Sequence, residues 1–177
     1  MSVLRSLGAQ TRKVTRPEHL EGLDSIVLPG GESSAMVRIA ANVGLFPVLS
    51  QRIRDGLPTF GTCAGLILLA ERLTDETLDG YGRLGGLGIT VARNAYGSQR
   101  ESFVAPLTVT GLDGDFHGTF IRAPQIVDAG DAEVLASHAG LPVLVRSGNV
   151  WGGSFHPELG PDTRIHELFL QTVGVTV

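Results

Sequence analysis

One cysteine in 177 residues excludes an intramolecular disulfide and suits a reducing, cytosolic location. No apolar run approaches the roughly 18 residues that a membrane span needs. The opening "MSVLRSLGAQTRK" has no apolar signal core, so neither a membrane nor an export route is expected. Charge of one sign is not in excess: 14 Lys and Arg stand against 18 Asp and Glu, for a net charge of -4. That balance gives no basis for nucleic acid or an anionic membrane surface as a partner. Internal repeats, low-complexity tracts and linkers are also missing, so residues 1–177 are expected to form a single domain. What the chain does have is 42% hydrophobic residues, enough for a substantial core, and 24 glycines, which point to tight turns and close backbone approaches.

The first half alternates short apolar runs with helical patterns. "QTRKVTR" (residues 10–16) alternates weakly and is expected to be a strand. "DSIVLPGG" (24–31) is an apolar run ended by Pro-Gly-Gly, as in a buried parallel strand entering a loop. "SSAMVRIAANVG" and "LFPVLSQRIRDG" have helical spacing. The first has Ser33 or Ser34 as N-cap, and each is closed by glycine. "LPTFG" is then a short strand and "AGLILLAERL" a helix. Strand–helix alternation implies a parallel α/β sheet. The second half carries short strands in "LGITVARN", "ESFVAPLTVTG", "GTFIRAP", "AEVLAS", "LPVLVRSG" and "NVWGGSFHPEL". These predict an antiparallel or mixed extension. "PDTRIHELFLQTVG" closes the chain as an amphipathic helix with Pro161 near its first turn. The fold class is α/β, a three-layer α/β/α sandwich.

The single thiol sits in Gly61-Thr62-Cys63-Ala64-Gly65, a G-x-C-x-G between a strand and a helix. This is the cysteine form of a nucleophile elbow. The chain reverses so sharply there that the residues two before and two after the nucleophile must be small. The helix that follows aims its N-terminus at the sulfur, which favours thiolate. Its first amides can also stabilise an oxyanion. A structural core cysteine would not require both glycines.

A thiol nucleophile needs a base. His19, His117, His138 and His166 lie in polar connections, turns or the last helix, where surface or packing roles are simplest. His156 differs, because "SFHPE" places it at a strand end before Pro157 and Glu158. Proline holds the preceding residue extended, and residues two apart in an extended chain project together. Glu158 can therefore fix the imidazole tautomer while the other ring nitrogen meets the thiol. The Gly-Gly of "LPGGESSAM" leaves backbone N–H groups open ahead of a helix, a place to hold an oxyanion or carboxylate.

In this order and spacing, "LPGGES", "GTCAG" and "SFHPE" resemble the class I (triad) glutamine amidotransferases of flavodoxin-like fold. "FGTCAGLILLA", "ARNAYGSQRESF", "FIRAP" and "SFHPEL" are similar to one branch, the glutaminase subunits of pyridoxal 5′-phosphate synthase. The likeness runs from about Leu4 to the C-terminus. It implies a glutaminase releasing ammonia from L-glutamine, with Cys63 as nucleophile and His156 and Glu158 completing the triad. It also implies a glutamine-binding loop of Gly31, Glu32 and Ser33, and an oxyanion hole from the amides of Gly31 and Ala64. Further glutamine contacts would come from Arg93, Ile121 and Arg122. An amino-acid substrate carries a carboxylate that a guanidinium can engage. No cofactor or metal is expected, and the implied partner is a (β/α)8-barrel synthase subunit that consumes the ammonia.

The branch normally starts with an apolar strand and a loop ahead of the helix ending in "LRSLGA". The sequence is therefore expected to be a shortened form of a chain with about 15–20 more residues. In flavodoxin-like order the absent strand would lie centrally, between "QTRKVTR" and "DSIVLPGG", so those two either pair directly or receive a strand from another chain. Three other functions compete: a glutaminase feeding a different synthase, a cysteine hydrolase of similar architecture, and a non-catalytic binding subunit.

Overall fold

The computed structural model describes residues 1–74, 82–93 and 102–174. Its centre is a five-stranded sheet of order β1-β2-β10-β9-β8. Strands β1 (Ile26–Leu28), β2 (Thr59–Thr62) and β10 (Val150–Gly153) run parallel. Strands β9 (Leu141–Ser147) and β8 (Glu133–His138) extend it antiparallel. Strand β10 thus returns from the far end of the sequence to lie beside β2, and Trp151 stands opposite Phe60 in register.

One face is covered by α2 (Ser33–Asn42), α3 (Leu45–Arg54) and α4 (Ala64–Leu69), packed with Ile26, Leu28, Leu66 and Leu69 in one core. The other face carries α1 (Ser2–Ser6), α5 (Arg164–Thr172) and the hairpin of β5 (Ser102–Thr108) with β6 (Asp115–Ile121). There Phe60, Trp151, Phe155 and Phe169 form an aromatic core, with Phe60 and Phe169 ring centres 5.5 Å apart. A second small sheet, β3 (Ala70–Leu73), β4 (Leu87–Ala92) and β7 (Gln125–Asp128), flanks the first core. The expected α/β class and the mixed second half are observed.

Several expectations fail locally, each for a physical reason. Residues 10–16 form no strand. Their polar groups are tied locally instead: Arg12 donates to the Glu21 carbonyl, and the Thr15 N–H donates to His19 Nδ1 at 3.2 Å. Among the described residues β1 has one partner strand and its other edge is unpaired: "QTRKVTR" does not pair with "DSIVLPGG", but residues 10–15 and 25–29 line one opening, as the expected gap requires. An apolar groove of about 520 Å³ follows that edge, lined by Leu4, Val27, Met36, Ala40, Phe46 and His166.

The helix expected over "AGLILLAERL" stops at Leu69, because Ala70 turns extended and pairs with Leu87 of β4. The Leu68 carbonyl at that helix end accepts the Leu84 N–H at 3.0 Å. The N-cap of α2 is Glu32 rather than either serine: its carboxylate accepts the Ser34 and Ala35 N–H groups at 3.1 and 2.7 Å. Pro161 lies outside α5, which starts at Arg164 behind Thr163. Strand β7 had no counterpart among the expected elements.

The aromatic core should dominate stability. Phe169→Ala is expected to cost about 3–5 kcal/mol in urea unfolding, whereas Ile39→Ala, at a site 66% exposed, should change it by about 0.5 kcal/mol or less.

Candidate active site

Cys63 follows β2 directly and precedes α4. Its backbone has φ 51°, a left-handed conformation that a side chain adopts only under constraint. Three contacts impose it. The Cys63 N–H donates to the Gly153 carbonyl at 2.8 Å, which ties the turn to β10. A Cβ on Gly61 would lie 2.6 Å from the Gly65 carbonyl, and one on Gly65 would lie 2.2 Å from the Leu28 carbonyl. Strand and helix therefore approach each other, and β1, at distances that only glycine permits. This is the elbow expected from G-x-C-x-G.

His156 is fixed from several directions. Its N–H donates to the Thr119 carbonyl of β6 at 2.8 Å, and its Nδ1 lies 2.8 Å from Glu158 Oε1. Its ring also rests on Gly30, where a Cβ would be 2.3 Å from the imidazole Cε1. The side chain is only 13% exposed. Contrary to expectation, His156 and Glu158 do not project together from an extended chain. β10 ends at Gly153, and Glu158 lies in a 3₁₀ turn over Pro157–Leu159. The turn, not an extended strand, brings carboxylate and imidazole together.

Electrostatics bind the three groups. Hydrogen bonding to Cys63 first, and to Glu158 second, outweighs burial and raises the His156 pKa to about 9. Burial pushes the Glu158 carboxyl up, but the His156 hydrogen bond and charge prevail and hold it below its ordinary value. His166, expected to be a surface or packing residue, is buried against Phe60 with its Nδ1 unpartnered. Burial lowers its pKa, against the opposing charge of Glu158.

The remaining expected residues spread around this centre. Gly30 and Gly31 link β1 to α2, and Gly31 has φ 152°, a backbone that favours glycine. Ser33 is buried at the start of α2, while Glu32 is exposed. Hydrogen bonds from Ala35 and Ser34 N–H hold the Glu32 carboxylate below its ordinary pKa. Arg93, at the end of β4, lies 3.9 Å from Glu32 and donates to Ser34 Oγ at 3.4 Å. Ile121 ends β6 two residues beyond Thr119, and Arg122 follows in left-handed backbone at φ 44°. No ion pair joins Arg122 to the triad among the described residues. Ala64 opens α4, where its N–H has no intrahelical acceptor. Most of "ARNAYGSQRESF" lies outside the described residues.

A thiol on a strand–helix elbow, facing an imidazole that a carboxylate orients, is the equipment of a triad-type acyl-transfer protein. The chain belongs to the SNO glutamine amidotransferase family, which matches residues 1–175. It is 48% identical over 172 residues to the pyridoxal 5′-phosphate synthase subunit PdxT of Thermosipho africanus, covering 97% of this chain and 90% of that one. To the PdxT of a Nocardioides species it is 47% identical, covering 98% and 89%. A solved structure described as a glutamine amidotransferase superposes with TM-score 0.91 at 46% identity, covering 98% of this chain and 92% of that one. The structure of PurLQS from Thermotoga maritima, at 17% identity and TM-score 0.63 over 97% of this chain and 88% of that one, shares the fold alone.

The pH dependence of stability follows from His156. A folded pKa of about 9 against about 6.5 unfolded stabilises fully below pH 6.5, and the contribution is lost as pH rises towards 9. Urea unfolding at pH 6.5 and pH 9 should show this loss, and Glu158→Gln should make it smaller. Gly65→Ala, which must push Leu28 aside, should destabilise by about 1–3 kcal/mol or more in the same assay.

Proposed function

We propose that this chain is the glutaminase subunit of a pyridoxal 5′-phosphate synthase. It hydrolyses L-glutamine to L-glutamate and passes the ammonia to a (β/α)8-barrel synthase subunit. The observation that carries this reading is the His156–Glu158 contact of 2.8 Å beside a thiol on a glycine-flanked elbow. The names of the relatives and the family support the choice of glutamine and of the synthase. The free thiol suits a reducing, cytosolic setting. We read the chain as one domain, since β2 (Thr59–Thr62) and β10 (Val150–Gly153), far apart in the sequence, share one sheet.

In the proposed reaction the Cys63 sulfur attacks the side-chain amide carbon of glutamine. A C–S bond forms, and the carbonyl π electrons move to oxygen. The resulting oxyanion is held by the backbone amides of Gly31 and Ala64, which sit at a glycine turn and a helix start. His156 gives its proton to the departing nitrogen. Ammonia leaves and a γ-glutamyl thioester remains. A water, losing its proton to the now neutral His156, attacks the thioester; the C–S bond breaks and glutamate is released. An imidazole whose pKa lies near 9 carries the proton that the first half needs. Glu158 orients the ring and stabilises its charged form. Glu32, Ser33 and Ile121 line the bound amino acid, and Arg93 and Arg122 meet its α-carboxylate.

Cys63→Ala should abolish glutamine hydrolysis while circular dichroism stays unchanged. His156→Asn should approach that loss, whereas Glu158→Gln should leave measurably more activity, because Glu158 handles no proton. Ammonia release assayed with and without a purified pyridoxal 5′-phosphate synthase barrel tests the reading. Turnover that no synthase barrel stimulates, or none with glutamine at all, would defeat it.

A further inference from the structure

The segment that carries His156 and Glu158 is laced to β6 at two points. At one end the His156 N–H donates to the Thr119 carbonyl at 2.8 Å. At the other, Arg164 donates through Nη1 to the Asp113 carbonyl at 2.5 Å and through Nη2 to the Asp115 carbonyl at 2.9 Å. Asp162 aligns that guanidinium. Its Oδ2 accepts from Nη2 at 2.6 Å, its Oδ1 accepts from Nε at 2.9 Å, and Oδ1 also takes the Arg164 N–H at 3.1 Å. Next to the first tie, Phe155 packs on Phe116 and Phe120 with ring centres 5.7 Å away in each case. Gly118 makes room for this, since a Cβ there would lie 3.3 Å from the Phe155 ring. Residues 115 to 119 of an extended strand span about 13 Å. The loop of residues 156–164 is thus a strap pinned at both ends of that length.

We infer that Arg164 is a positioning residue for the triad: it pins the far end of the strap and so sets where His156 stands relative to Cys63. A planar fork with five donors meets two carbonyls and a carboxylate at once, which a lysine cannot do. β6 itself does not depend on Arg164, because it is paired with β5 from Ser102–Ile121 to Thr108–Asp115. Losing the guanidinium removes the strap's direct tie to the β6 end, leaving that end held by α5 packing alone, while Ile121 and Arg122 stay in place. The loss should therefore fall on the proton-handling step rather than on substrate affinity.

The inference rests on the glutaminase reading, and steady-state glutamine hydrolysis by the whole chain with its synthase barrel separates the two. If the parent chain does not turn over, the reading itself fails. If it does, Arg164→Ala should lower kcat by about 10- to 100-fold with KM changed less than about twofold. Millimolar guanidinium should restore part of the loss. Arg164→Lys, which keeps the charge but not the fork, should lose kcat similarly, and it decides the matter should the alanine variant not fold. A variant with parental kcat and only a lowered Tm, or a change confined to KM, would overturn the assignment.

Discussion

Everything in the site depends on how closely β2, α4 and β1 approach one another. With a Cβ on Gly65 only 2.2 Å from the Leu28 carbonyl, no larger residue allows α4 to start where it does. That start forces Cys63 into left-handed backbone. Strain of this kind survives only where the surroundings over-determine it. Here they do: the Cys63 N–H is held by Gly153 of the neighbouring strand, and all six residues of α4 are buried. The apolar core on that face therefore stabilises the geometry of the elbow as well as the fold.

His156 is oriented by the same economy of glycine and backbone. Gly30 leaves a seat for the ring, Thr119 holds the main chain, and Glu158 holds Nδ1. Of these three only the last is a side-chain interaction, and the hydrogen bond to Cys63 adds another. The sheet brings β10, which leads into His156, alongside β2, which leads into Cys63. Two segments about ninety residues apart in sequence meet because adjacent parallel strands end at one edge.

The elbow was legible in the sequence because steric exclusion leaves a mark: glycines two residues either side of the cysteine. The pairing of His156 with Glu158 was legible through their spacing, although a 3₁₀ turn and not an extended chain makes the contact. What the sequence hid was decided by tertiary partners. "AERL" continues a helical pattern, yet the open edge of β4 captures it as a strand. "QTRKVTR" alternates like a strand, yet side-chain hydrogen bonds hold it locally. Glu32 outcompeted two serines as N-cap because its longer side chain reaches two amides at once. His166 carried no signal at all, since burial of an imidazole on the last helix depends on how that helix packs against Phe60.

The central claim is that the single thiol, held at a glycine-framed turn and served by His156, is the group that attacks glutamine. It is tested most directly by incubating the chain, with a purified pyridoxal 5′-phosphate synthase barrel added, with a glutamine analogue bearing an electrophilic ketone, then mapping the modified peptide by mass spectrometry. The account predicts one adduct per chain, on Cys63, that excess L-glutamine prevents. Modification at another residue, or labelling of Cys63 that glutamine does not slow, would contradict it.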